Sequence, residues 1–259
     1  MPLEARRSWV NRAHRIKGSV VLVQGTGTGW DVVSWAAFRP RRIYAIDLYS
    51  FDEWPDVTEY VKDRYGVEVV FSQSALEKLD LPDNSIDIVA SDAVYEHCRT
   101  LGEIVVESRR VLRDKGILYA TYGPLWFTAG GDHFSGRGGL ETVFNHLRLP
   151  PTAYREYFRS CRLPVENFQS GGRYVELDLF SRLTTRQYFA LYERSNFQLS
   201  QFILEISGSA LAYKKAYPRE FERMLEGLSS AEVTVDDLII KTNLAILQPN
   251  PNSSRRHLS

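Results

Sequence analysis

Short apolar runs alternate with amphipathic stretches through the first half of the chain. Val20-Val21-Leu22-Val23 reads as a buried strand, and Arg42–Asp47 as a second. Val67–Phe71, Ile86–Ala90 and Ile117–Tyr122 continue the series as a third, fourth and fifth. Between them, Asp56–Tyr65 predicts a short helix. Glu103–Leu112 predicts another, with Ile104, Val105, Val111 and Leu112 at helical spacing and Asp114-Lys115-Gly116 closing it. Leu79–Ser85 gathers Pro, Asp and Asn into a turn ahead of the fourth strand. Strands that alternate with helices over this length predict an α/β fold, a doubly wound parallel sheet with right-handed crossovers.

The rhythm breaks at Gly123. Gly130-Gly131, Gly136 and Gly138-Gly139 punctuate an aromatic stretch with Trp126, Phe127 and Phe134, and Pro150-Pro151, Tyr154, Tyr157, Phe158 and Phe168 follow. Periodicity returns at Thr184–Ser195, a helix with Thr184 or Thr185 as its N-cap. Gln198–Ile206 and Asp237–Leu247 then read as two further strands. Residues 123–183 are too long for a plain loop in a compact domain. They are expected to form an inserted cap between strands five and six, over the sheet edge where ligands bind in this architecture. The whole of 1–259 is expected to be one domain carrying that insertion.

Composition narrows the partners. Hydrophobic residues make up 44% and charged ones 25%, with 32 Lys plus Arg against 32 Asp plus Glu, so the net charge is zero. A chain without net positive charge has no long-range field to draw in nucleic acid, which is not expected as a partner. Cys98 and Cys161 lack metal-ligand spacing and suggest no disulfide framework, which fits a reducing cytoplasm. No apolar run reaches the length of a membrane span, and no apolar signal core opens the chain. The run from Pro249 to Arg256 reads as a polar tail.

The candidate chemistry begins where strand one ends. Gln24 leads into Gly25-Thr26-Gly27-Thr28-Gly29, a loop that offers backbone N–H groups and close approach to a ligand. Strand two ends in Asp47, a carboxylate placed to accept hydrogen bonds from ribose hydroxyls. A dinucleotide fingerprint would run G-x-G-x-x-G, whereas Trp30 fills the slot of its last glycine here. A nucleotide (NAD)-dependent oxidoreductase therefore stands as the alternative.

These glycines, with Asp47, resemble the first motif of class I S-adenosylmethionine-dependent methyltransferases of the type 11 kind. Leu79–Val89 is similar to that family's "L-P-F-P-D-N-S-F-D-L-V" segment, and Ser91–His97 to its "S-x-x-V-L-E-H". Arg110–Leu118 is similar to its "R-V-L-K-P-G-G-x-L", and the resemblance covers about Val20 to Tyr122. It implies a Rossmann-like seven-stranded sheet and S-adenosyl-L-methionine as cofactor. By position, Gly25, Thr26, Gly27 and Gly29 would line the methionyl side, with Asp47 on the ribose and Leu48 against the adenine. Ser74 and Ala75 would contact the adenine ring, and the Ser91 carbonyl would face the methionyl amine. The bland readings are that Asp47 caps a helix and Ser91 forms a turn. Val23 stands where the family usually has an acid, and Thr26 where cysteine is common. The missing acid keeps a non-catalytic, cofactor-binding relative in play.

Methyl transfer from a sulfonium is an in-line displacement, so alignment and exclusion of water carry most of the work. A hydroxyl acceptor also needs its proton removed. His133, in Gly130-Gly131-Asp132-His133, is the candidate base, with Asp132 as its orienting partner or an acceptor clamp, and His97 is second. His133 reads equally as a hydrogen-bonding loop residue. No metal spacing supports the set Asp132, His133 and His146, and no metal is expected. Tyr122, Trp126, Phe127 and Phe134 wall an acceptor pocket or form the core of the cap; a pocket role is favoured for one or two of them. No proline pair follows strand four and neither cysteine follows a proline, so the motifs of the nucleic-acid methyltransferases are missing. A small polar acceptor is expected: a sugar, a nucleotide-sugar or a glycan intermediate. Arg137, Arg148, Arg155, Arg159 and Arg173 are available for an anionic group on it, or are simply solvated.

Overall fold

The computed structural model describes residues 1–160, 175, 177–228 and 232–251. Cys161, Phe168, Arg173 and most of the polar tail lie outside them. Seven strands form one sheet in the order β3-β2-β1-β4-β5-β7-β6. They are β1 (Val20–Gln24), β2 (Arg42–Asp47), β3 (Glu68–Gln73), β4 (Ile86–Asp92), β5 (Leu112–Tyr122), β6 (Phe197–Ile206) and β7 (Ile240–Pro249). The first five are parallel to their neighbours, while β7 runs antiparallel to both β5 and β6. β7 alone is thus reversed, and β6, antiparallel to it, points the same way as β1 to β5.

The connecting helices cover both faces. Helices α1 (Leu3–Ala13), α2 (Val32–Ala36) and α3 (Trp54–Tyr65) contribute Val10, Trp35, Val57 and Val61 to one apolar cluster against the sheet. On the other face α4 (Leu101–Val111) adds Leu101, Ile104, Val105 and Val111 to a second cluster, together with Tyr188 and Tyr192. β1 is buried along its whole length, as a central parallel strand must be. The expected strands and helices are all present, with two corrections at their ends. Asp114-Lys115-Gly116 does not close a helix; Leu112 already pairs with Ile86, and the segment lies within β5 at a register shift. Asp237 belongs to a helical turn rather than a strand, because its carboxylate accepts from both the N–H and the hydroxyl of Thr234.

Two stretches outside the sheet, one within the expected cap and one beyond it, pack against each other. The first carries α5 (Asn145–Arg148) and α6 (Pro151–Ser160), and α7 (Thr185–Arg194) leads back to the sheet behind a capping box between Thr184 and Gln187. The second lies between β6 and β7 as α8 (Gly208–Ala216), α9 (Pro218–Gly227) and α10 (Val235–Ile239). Phe127, Val143 and Phe144 from the first pack with Ala210, Tyr213, Phe221, Met224 and Leu238 from the second in a third apolar cluster. Among the described residues, no helix is long and apolar enough to cross a membrane.

Candidate functional site

The glycine loop owes its shape to two close approaches. Gly25 has φ +69°, and a Cβ there would lie 2.3 Å from Cγ2 of Val94. Gly29 has φ +89° and faces the Phe71 ring at 2.7 Å in the same sense. Hydrogen bonds fix the loop between: Gly25 N–H donates to the Ile46 carbonyl (2.7 Å) and the Trp54 indole N–H to the Gly27 carbonyl (2.8 Å). The Asp47 carboxylate accepts from the Gly27 N–H through Oδ2 (2.8 Å) and from the Tyr49 N–H through Oδ1 (3.1 Å). The acid at the end of β2 therefore holds the loop after β1.

Beside this loop opens a cavity of about 520 Å³, within the range of small-ligand sites. Gly25, Gly27, Asp47, Leu48, Ala75 and His97, six residues expected at the site, line it. Leu48 is 55% exposed, an apolar side chain left open at the rim. Four other expected cofactor contacts do not reach the lining. Thr26 and Gly29 are buried parts of the loop's own framework. Ser74 donates its N–H to the Asp47 carbonyl, and its hydroxyl bonds the Ala75 and Lys78 carbonyls. Ser91 is fully buried between β1 and β5, paired with Gln24 and Ala120. Tyr49, Phe51, Leu76, Glu77, Val94 and Arg99 line the cavity in addition. They come from turns whose chain direction no periodic pattern fixes.

His97, which lines the cavity, meets His133, which does not, with ring centroids 4.7 Å apart. His97 ends a short 3-10 turn, Tyr95–His97, just past β4. Its Nδ1 lies 2.8 Å from the Leu179 carbonyl. A carbonyl only accepts, so Nδ1 carries the proton and Nε2 is the ring's acceptor. Burial, reinforced by the neighbouring His133, holds His97 down at about 3. Burial also lowers His133 to about 4, against the pull of Asp132 and with Lys241 adding to the fall. Both imidazoles are therefore neutral near pH 7. Glu96, 2% exposed, completes the cluster. Its Oε1 accepts from the Gly123 N–H (2.9 Å), while Oε2 is buried without a hydrogen-bond partner. Burial pushes this carboxyl up to about 8 despite the Gly123 bond. The ligating atoms of Glu96, His97 and His133 all lie within 4.8 Å of one another. The expected motif contained Glu96 beside His97, but only contact with Gly123 and His133, both far along the chain, reveals its use.

Of the two roles expected for Asp132, burial leaves only the one that positions His133. Its buried carboxylate accepts from the N–H groups of Phe134 (3.1 Å) and Ser135 (2.8 Å), the Ser135 hydroxyl (2.9 Å) and the Tyr154 hydroxyl (2.5 Å). It also lies 3.7 Å from Nδ1 of His146. Burial would raise it, but His146 and these bonds outweigh burial and hold it below the usual range. With no exposed surface it cannot clamp an acceptor; it fixes the loop that carries His133. The aromatic residues resolve similarly. Tyr122 packs against Tyr95 and Tyr188, Phe127 joins the third apolar cluster, and Phe134 packs on Phe158. Trp126 stacks near Phe180, whose ring approaches both histidines at 5.6 and 6.3 Å. None of the four aromatics lines the cavity, nor do Arg137, Arg148, Arg155 or Arg159. Arg137 lies over Phe134, Arg148 over Tyr213, and Arg155 and Arg159 are exposed.

Comparison with known proteins places this geometry in context. A family described as "Methyltransferase domain" matches residues 22–120. A protein of Mycolicibacterium smegmatis described as "probable S-adenosylmethionine-dependent methyltransferase" is 35% identical over 123 residues. That match takes in 46% of this chain and 44% of the relative, so the chain covers less than half of it. The malonyl-[acyl-carrier protein] O-methyltransferase of Yersinia pestis is 24% identical over 216 residues, 77% of this chain and 76% of that protein. Among solved structures, an S-adenosylmethionine dependent methyltransferase from Mesorhizobium loti superposes with a TM-score of 0.55 at 14% identity. That likeness covers 95% of this chain and 98% of the other, and it is a likeness of fold.

Proposed function

The chain belongs to the class I S-adenosylmethionine-dependent methyltransferase family, and from that premise we propose that it methylates a hydroxyl on a small polar acceptor. The observation that carries this reading is one cavity lined both by the glycine loop with Asp47 and by His97, against which His133 stands. Asp47 takes the ribose hydroxyls with the lone pairs that Gly27 and Tyr49 leave, and exposed Leu48 covers the adenine. Gly25 and Gly27 leave room for the methionyl arm. Ala75 and its neighbours Leu76 and Glu77 complete the adenine side. The cofactor supplies an activated methyl group; the protein aligns the acceptor and receives its proton. His97, the imidazole that lines the cavity, presents Nε2 to the acceptor hydroxyl, and His133 stands against it outside the lining.

A sugar, nucleotide-sugar or glycan intermediate fits the acceptor class, with its hydroxyls, and the Yersinia pestis relative transfers to oxygen by its name. Nothing in the cavity favours a dinucleotide over this cofactor, and Trp30 still blocks the dinucleotide glycine pattern. Calorimetry with S-adenosylmethionine and NADH tests the cofactor: the first should bind, and Asp47→Ala should weaken it by at least about tenfold. Turnover, followed as S-adenosylhomocysteine release over a panel of hydroxyl acceptors, tests the rest. His133→Ala should lose turnover and keep cofactor affinity. Full turnover in that variant would remove His133 from the mechanism, and tighter binding of NADH would remove the methyltransferase reading.

A further inference from the structure

We propose that Glu96, His97 and His133 form a binding site for a divalent cation of the zinc class, at the acceptor end of the cavity. Three observations carry it. The three ligating atoms lie within 4.8 Å of one another, a spread that small side-chain rotations would bring under the roughly 4.4 Å that two bonds of about 2.0–2.2 Å can span. Glu96 is almost wholly buried, with Oε1 on the Gly123 N–H and Oε2 without a hydrogen-bond partner. A buried carboxylate oxygen is costly to leave unpaired, and a cation is the ligand that satisfies it best. His97 donates its Nδ1 proton to the Leu179 carbonyl, the arrangement that orients a metal-binding imidazole and presents Nε2 to the ion.

The ligand set decides the class. Two imidazoles and one carboxylate suit zinc and its first-row neighbours rather than calcium or magnesium, which prefer all-oxygen shells. Three protein ligands also leave a coordination position open. His97 lines the cavity, so the ion is reached from the space where an acceptor would lie. Asp132 and His146 are not part of this set; the Asp132 oxygens accept from Phe134, Ser135 and Tyr154, and His146 Nε2 lies 2.8 Å from the Trp126 carbonyl.

The binding site stands on these residues alone, while its use in catalysis rests on the methyltransferase reading above. With the cation present, the imidazoles act as ligands instead of taking the proton. A bound cation would supply a Lewis acid that eases ionisation of an acceptor hydroxyl in the open position, whose proton would leave to water. The acceptor oxygen then forms the new O–CH3 bond as the C–S bond of the sulfonium breaks, and the electron pair of that bond remains on sulfur.

The test is direct. Full-length protein stripped with chelator is incubated with zinc or cobalt(II) and desalted, and its metal content is measured, with the visible spectrum of the cobalt form as a second readout. The wild type should retain about one equivalent, with cobalt bands typical of low coordination number. Glu96→Gln keeps a partner for the Gly123 N–H and so guards against misfolding. It, His97→Ala and His133→Ala should each weaken retention by at least the roughly 10–100-fold seen when only an outer partner is lost. His14→Ala, outside the cluster, should retain the metal. Loss of metal from the wild type on desalting, or equal retention by the three variants, overturns the site. S-adenosylhomocysteine affinity is measured in parallel on the stripped protein. Its failure would overturn the cofactor reading and leave the metal result standing, and the reverse holds equally.

Discussion

Gly25→Ala tests how far the cofactor loop depends on close contact. The added methyl would lie 2.3 Å from Cγ2 and 2.9 Å from Cγ1 of Val94, with Cβ itself at 3.2 Å. Rotating Val94 does not clear both methyls, because a β-branched side chain has few χ1 choices. Holding alanine at φ +69° costs about 1–2 kcal/mol, and overlap of this kind in a packed wall costs about 1–3 kcal/mol more. The variant should therefore be less stable by a few kcal/mol, read as a fall in melting temperature. Wherever the loop escapes strain by moving, cofactor affinity should drop about tenfold for each 1.4 kcal/mol needed to restore it. Val94→Ala removes the atoms in the way. The double variant should recover the overlap share and keep the backbone share, giving a favourable coupling of about 1–3 kcal/mol. The assay is a double-mutant cycle in thermal unfolding and cofactor calorimetry. A cycle that closes with no coupling would mean that Gly25 and Val94 do not meet, and the loop geometry described here would be wrong.

Two further predictions concern groups that support the site. Burial raises the Asp31 carboxyl to about 6, with Asp92 adding to the rise and Arg7 opposing it. A carboxyl raised in the folded state stabilises below its unfolded value and loses that contribution as pH rises toward 6. Asp31→Asn should thus gain stability over the wild type between pH 4 and pH 7.5, on the order of 1–2 kcal/mol for a partly exposed group. A melting-temperature gap that is the same at both pH values would contradict this. Tyr154→Phe removes the 2.5 Å donor to the Asp132 carboxylate, a charge-assisted bond worth about 1.5–3 kcal/mol. It should lower the melting temperature and slow turnover with cofactor affinity intact; unchanged turnover would show that this network does not position His133.

The parts of the molecule legible in the sequence are those whose cause is local. β1 to β5 announce themselves by short apolar runs between turn residues, and the Gly25–Gly29 loop by residues that only a close approach requires. Thr184 and Gln187 mark the start of α7 within four positions. The rest depends on partners far along the chain. Asp114-Lys115-Gly116 has turn chemistry, yet pairing of the adjoining Leu112 with Ile86 draws it into β5. Arg7 is fully buried because Asp92 at the end of β4 pairs with it at 2.7 Å and Trp35 lies beneath its guanidinium at 4.1 Å. The helices between β6 and β7 carry an apolar stripe with Phe221 and Met224, but its partners are Val143 and Phe144 in the segment after β5. Asp132 reads as an orienting partner for its neighbour His133, but it acts through the loop that its bonds to Ser135 and Tyr154 fix.

The same division explains where specificity resides. The cofactor end is made by the sheet: the loop after β1, the acid ending β2 and the turn after β4, all within the family-matched residues 22–120. In the proposed reading the acceptor lies where the sheet meets the segment after β5. His97 comes from the sheet side, His133 from that segment, and the Leu179 carbonyl that orients His97 from the chain returning beneath it. A substitution in that segment can therefore change which acceptor is aligned, or how its proton leaves, without touching the cofactor's contacts. The converse does not hold, because displacing the turn at Tyr95–His97 moves Glu96 and His97 together with Val94, against which Gly25 is packed. On the proposed reading, substitutions around His133 should change the acceptor taken and leave cofactor affinity as it is, and a loss of cofactor affinity in such variants would refute it.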